Sequence, residues 1–266
     1  MTNILADKQP LIKLNPIPDE TTNALMKPAA DTVGSAARDV LSAGFNLILT
    51  PLRKYNIRKD KELKDFADKI NNETAKIPEE NRDSSKVGLI LKAVDDSKYR
   101  LNDDIMRQAF AKLIARGLDN RTNQSFYPSY SETLSNMSTT EAQFLLKLHE
   151  NFGSNVAIIA PSIKSTDNSS SRVAKPWYLL WDTGFQYDDT YAISMDLLAK
   201  SGMIEVRHDA WLTHKHFADQ YSEFEKSPFF SVRKVVLQPG QDETVSIEKG
   251  LIRFTDLGES FIQFIL

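Results

Sequence analysis

The 266-residue chain, 41% hydrophobic and 26% charged, has the composition of a globular protein and the length of one large or two modest domains. A net charge of −3 from 33 basic and 36 acidic residues argues against the basic footprint of a general nucleic-acid binder. With no cysteine, disulfides, thiolate metal sites and a Cys–His nucleophile are excluded, and a reducing cytoplasm fits.

Residues 1–28 read as an extended arm. Pro10, Pro16 and Pro18 punctuate it, and charges such as Asp7, Lys8, Lys13, Asp19 and Glu20 break every apolar run, so it lacks the core of a secretory signal. From residue 29 to 152 the apolar residues recur at helical spacing, which predicts a helical bundle. Pro28 and Pro51 bracket the first stretch, with Val33, Ala36, Val40, Leu41, Leu47 and Ile48 on one face. The uncharged run Val40–Leu52 has 13 residues, short of the ~20 needed to cross a bilayer. No transmembrane helix is predicted there. Bundle packing is the plain reading of residues 32–52; self-association or a membrane surface are the others.

A second helix runs from about Asp60 to Lys76, with Leu63, Phe66, Ala67 and Ile70 inward, and ends before Ile77-Pro78. Helical spacing returns over Ser85–Asp95. Asn102 or Asp103 can cap a helix whose inward set is Met106, Ala109, Phe110, Leu113, Ile114 and Gly117. Pro128 suits the first turn of a short helix carrying Tyr130, Leu134 and Met137. Ser138-Thr139-Thr140-Glu141 spells a capping box, opening a helix that buries Ala142, Leu145 and Leu148. Tyr127, Pro128 and Tyr130 form the candidate interaction or structural corner between two helices.

Residues 153–186 read as a linker. Val156–Ala160 is a short apolar run, Ser162–Lys175 is expected to be a serine-rich surface loop, and Trp177–Trp181 is expected to pack on the bundle. Residues 187–266 change period. A helix from Asp189 ends at Gly202, and strands are expected at Met203–Trp211, Ser231–Leu237, Thr244–Ile247 and Leu251–Phe254. Pro239-Gly240 and Lys249-Gly250 read as turns between strands, and Thr255 caps a final helix with Leu257, Phe261, Phe264 and Ile265 inward. These ingredients predict a mainly α protein: an N-terminal helical bundle followed by a C-terminal winged-helix-like α+β unit.

Chemistry is sparse. The chain contains no glycine-rich phosphate loop, no G-x-S-x-G and no H-E-x-x-H. His208, His214 and His216 lack a carboxylate at metal-site spacing, so no metal or cofactor is expected. Asp95-Asp96, Asp103-Asp104 and Asp188-Asp189 are sequence neighbours at or near helix ends, which makes poor general acid–base pairs. From Asp182 onward, 8 basic residues face 14 acidic ones, a balance of −6. The presumed recognition helix, DDTYAISMDLLAKSG, holds one lysine and three aspartates. Phosphate contacts dominate duplex affinity, so this helix is electrostatically wrong for a major groove.

Four stretches carry a family resemblance: Lys76-Ile77-Pro78-Glu79, the helix DDIMRQAFAKLIARGLD, the corner and capped helix YPSYSETLSNMSTTEAQFL, and the closing LIRFTDLGESFIQFIL. Together they cover most of 57–150 and, more loosely, 187–266, and they resemble the Abi-alpha (abortive infection alpha) family. Tyr127 stands where that family usually has a histidine before the proline, and the serines of 162–171 are a local departure. The resemblance implies a bacterial or mobile-element protein of phage defence and transfers no catalytic residues. The expectation is a cytoplasmic, non-enzymatic protein acting through a protein partner or self-association, without nucleic acid. A winged-helix transcriptional regulator is the alternative, and an enzyme with an unrecognised site ranks third.

Overall fold

In a computed structural model, the described residues are 60–152, 155–180 and 191–265. The N-terminal arm, the helix expected within 32–52 and Trp181 lie outside them.

Among the described residues, five α-helices come first: α1 (Asp60–Thr74), α2 (Val87–Ser97), α3 (Asp104–Gly117), α4 (Ser129–Asn136) and α5 (Thr139–Phe152). The inward set expected on α1 is buried, with Phe66 and Ile70 at 0% and 1% exposure. Along α3, Met106, Phe110, Leu113 and Ile114 are fully buried, while Ala109 is half-buried. Asp103 caps α3 through Oδ1, which accepts from the backbone N–H of Ile105 and Met106 at 2.9 and 3.3 Å. The capping box ahead of α5 is closed in both directions. Ser138 N–H donates to Glu141 Oε2 at 2.9 Å, and Glu141 N–H donates to Ser138 Oγ at 3.2 Å. Thr139 Oγ1 also donates to Asp103 Oδ2, which ties the start of α5 to the start of α3.

Beyond the bundle, β1 (Asn155–Ser165), β2 (Ser171–Val173) and β3 (Tyr178–Leu179) are followed by α6 (Ala192–Lys200) and β4 (Ile204–Arg207). Then come α7 (Lys215–Lys226), α8 (Pro228–Leu237), β5 (Glu243–Phe254) and α9 (Asp256–Ile265). The sheet is antiparallel, in the order β2-β1-β5-β4, with β3 also paired to β1. It is sandwiched between two apolar cores. Val156, Ile158 and Ala160 of β1 face the bundle core, together with Leu179, Ile204 and Ile252. Ala157 and Ile159 face the other way, onto Tyr178, Leu180, Tyr221, Phe224 and Phe230. The helix pair α7–α8 thus roofs the outer face of the sheet.

The structure corrects several sequence expectations. Within Ser162–Lys175, the expected loop, β1 continues to Ser165 and β2 occupies Ser171–Val173. The end of β1 is polar in sequence, and Ser162 is buried there only because its hydroxyl bonds Ser246 Oγ at 2.8 Å across the β1–β5 pair. Ser231–Leu237 is not a strand but the body of α8. Its valines favour strands in general, yet Ser227 and Pro228 start a helix: Ser227 Oγ accepts from Phe230 N–H at 3.1 Å, with proline at the first turn. Lys249-Gly250 is not a turn, because β5 runs straight through it, pairing Gly250 with Ile158. A side chain at Gly250 would meet the Arg207 carbonyl at 2.6 Å, so the glycine admits a neighbouring strand. Leu257, placed inward by its spacing, is 38% exposed.

Two expected helix-end devices hold, whereas the strand expected over Met203–Trp211 is confined to Ile204–Arg207 and Pro239-Gly240 joins a helix to a strand instead of two strands. Gly202 follows α6 with φ +76°, and Thr255 Oγ1 accepts from Gly258 N–H at 2.9 Å at the start of α9. Gly258 has a further duty: a Cβ there would lie 1.9 Å from the Met203 carbonyl oxygen. Gly258→Ala is therefore expected to cost about 3 kcal/mol, the upper end of overpacking, because backbone and not a flexible side chain must yield. A denaturant melt of the purified variant checks it.

Tyr221 sits in the outer core and donates its hydroxyl to the Gly250 carbonyl at 2.8 Å. Burial pushes its pKa up to about 12. The folded chain therefore holds this proton more tightly than the unfolded chain, whose tyrosine titrates near 10. Stability from this group is complete below pH 10 and is lost as pH rises from about 10 through about 12. In a pH series of melts, Tyr221→Phe is expected to flatten the alkaline decline.

Candidate functional site

The corner at residues 126–130 is where the closing helix meets the bundle. Phe126 is buried and stacks on Phe264 of α9, with ring centroids 5.3 Å apart. Tyr130 is fully buried and meets both Phe261 and Phe264 at 5.4 Å. Its hydroxyl shares a 2.6 Å hydrogen bond with Ser260 Oγ, and burial raises its pKa. A neutral hydroxyl between apolar rings is a structural bond here.

The other two corner residues face outward. Pro128 is exposed, with φ −56° suited to the start of α4. Tyr127 is 51% exposed and touches Tyr130 edge-on at 5.5 Å. The structure thus brings the three corner residues together but gives them unequal work: Tyr130 anchors α9, whereas Tyr127 presents an aromatic face to solvent.

The histidines do not converge. His208 stacks on Trp177 at 4.3 Å, while His149 sits edge-on to Phe254 at 6.2 Å. His214 stands at the start of α7 and His216 lies against Phe217, both exposed. Among the described residues, no three histidine or acidic side chains are grouped as metal ligands. No described helix is long and apolar enough to cross a membrane.

Sequence reading missed one surface. On α8, Val232, Val235 and Val236 are 62%, 75% and 59% exposed, and their i, i+3, i+4 spacing sets them on one helical face. The opposite face is anchored by Phe230 in the outer core. Arg233 reaches back, donating to the Tyr178 hydroxyl and lying over the Tyr178 and Phe229 rings. Reading the segment as a strand scattered these valines over two faces. The Ser-Pro pair at 227–228 was the signal that could have set them together. A smaller face of the same kind lies on α6, where Ile193 and Leu197 are 73% and 42% exposed.

Comparison with known proteins gives a family. The family model described as abortive infection alpha matches residues 58–265. No curated protein matches the chain. A solved structure of an uncharacterized protein from the hydrocarbon-degrading marine bacterium Alcanivorax borkumensis SK2 is similar over 55% of this chain and 94% of that one. Its identity is 19% and its TM-score 0.34.

The two tyrosines are expected to separate on mutation. Tyr130→Ala should cost about 3–5 kcal/mol, as for other large buried aromatics, while Tyr127→Ala should cost about 1 kcal/mol or less. Urea melts of the two variants measure the difference.

Proposed function

The chain belongs to the abortive infection alpha family, and from that membership we propose that it is a non-enzymatic phage-defence protein that acts by docking another protein. The valine stripe of α8 carries this reading. Valine is a mediocre helix former, because its branched side chain loses rotamer freedom. Three valines exposed on one helical face also forgo the burial that stabilises apolar side chains. Neither local propensity nor packing among the described residues explains them. A protein surface that covers them does.

The stripe is also well placed for contact. α7 and α8 roof the outer core, so α8 can offer its outer face without uncovering the bundle core. The winged-helix-like reading of residues 187–266 is kept as part of this proposal. α6 leads into the antiparallel β4–β5 pair, α9 follows it, and the α7–α8 pair is inserted between the two strands. The exposed face of α6 carries Ile193, Asp196, Leu197 and Lys200. One cation beside an aspartate and two apolar side chains suits a protein surface better than a phosphate backbone.

The test pairs folding with defence. A Val235→Glu, Val236→Glu double variant is expected to melt like the parent, since both side chains already face solvent, yet to lose protection in a phage plating assay. Undiminished protection in a folded double variant would overturn the docking role of α8.

A further inference from the structure

We propose that the groove between α3, α5 and α9 is the seat of an apolar segment of the same chain, residues 40–52, which lie outside the described residues. The groove encloses about 250 Å³. Ile105 and Ala109 of α3 form one wall, Leu146 of α5 with Met137 a second, and Ile262 and Ile265 of α9 a third. Ile105, Ala109 and Leu146 pack on the bundle core yet are only half-buried.

The groove is an uncovered edge of an otherwise closed core. At about 100° per residue, Ile105, Ala109, Leu113, Met106, Phe110 and Ile114 sweep about half the circumference of α3. A helix apolar over so wide an arc is normally covered along all of it. The described neighbours bury Met106, Phe110, Leu113 and Ile114 completely and leave the side of Ile105 and Ala109 open.

The rim gives a charged ligand little to hold. Asp104 lies 3.1 Å from Lys69 and 2.9 Å from Arg107, and Gln108 Nε2 donates to Glu73 at 2.9 Å. Lys112, also on the rim, has an interaction of its own. With these groups engaged within the fold, what the groove selects is an uncharged, apolar occupant.

Residues 40–52, VLSAGFNLILTPL, meet that requirement. They are 13 consecutive uncharged residues, and Val40, Leu41, Leu47 and Ile48 share one face at helical spacing. Gly44 falls on the same face, where its missing side chain permits close approach. The segment is also tethered within reach. Seven residues, 53–59, join it to the first residue of α1 and can span about 25 Å. Lys69 sits about 14 Å along α1 from that point and is paired with Asp104 on the rim. A segment held by so short a connector acts at an effective concentration on the order of millimolar, well above a second copy at ordinary protein concentrations.

Hydrogen exchange of the full chain, read by mass spectrometry, tests the seat. Residues 40–52 are expected to exchange at least about tenfold more slowly than an unstructured peptide. Ala109→Glu, which sets a carboxylate among the apolar walls, is expected to abolish that protection. Should this variant fail to fold, cysteine pairs decide instead, since the chain has no cysteine of its own. Ala109→Cys combined in turn with Leu41→Cys, Leu47→Cys or Ile48→Cys is expected to give an intrachain disulfide in at least one pairing under air oxidation. Three results would each overturn the proposal: unprotected residues 40–52 in the parent, protection unchanged in folded Ala109→Glu, or cysteine pairs that link only between chains. The last of these would assign the groove to a second copy.

Discussion

The seating of α9 is the interaction on which the rest of the molecule depends. This ten-residue helix presents Phe261 and Phe264 to Phe126 and Tyr130 of the corner, and Ile262 and Ile265 to the bundle core. Fully burying each of these four side chains contributes roughly 1.5–3 kcal/mol, comparable together with the whole ~5–15 kcal/mol by which a domain is stable. The helix can come this close because Gly258 lies against the Met203 carbonyl, and its direction is fixed as β5 runs straight into it through the Thr255 cap. One element thereby fastens the last strand of the sheet to the helices that begin the described chain.

Much of this was legible in the residues, and what was legible shares a cause. Asp103, Ser138 with Glu141, Gly202 and Thr255 act within one helical turn, so sequence spacing alone determines what each can bond. The inward faces of α1 and α3 were equally clear, because a helix with one wet side stamps a 3.6-residue period on the chain.

The failures also share a cause: each depends on a partner distant in sequence. β1 reads as a patternless apolar run because its two faces feed different cores, one built by the bundle and one by α7 and α8. Gly250 looked like a turn because nothing local reveals that β4 and β1 flank it at once. The valines of α8 carried strand propensity, and a local cap overruled it. For the corner, residue types announced a helix approach but not the division of labour. That Tyr130 rather than Tyr127 reaches Ser260, 130 residues away, follows from where α9 lands.

Electrostatics plays a different part from packing in this chain. Between α1 and α3, Arg107 binds Asp65 at 2.6 Å and Asp104 at 2.9 Å, with Lys69 at 3.1 Å from Asp104. Elsewhere among the described residues there are more solvated pairs, such as Arg253–Glu205 and Arg172–Glu243. Exposed pairs are worth about 0–1 kcal/mol each and weaken with salt, so they cannot rival the aromatic seat of α9. Added salt should then leave the fold nearly untouched, while attraction between a charged surface and its ligand falls steeply. Apolar docking on the α8 valines has no such dependence. Ionic strength therefore leaves both the seat of α9 and the apolar valine face of α8 essentially as they are.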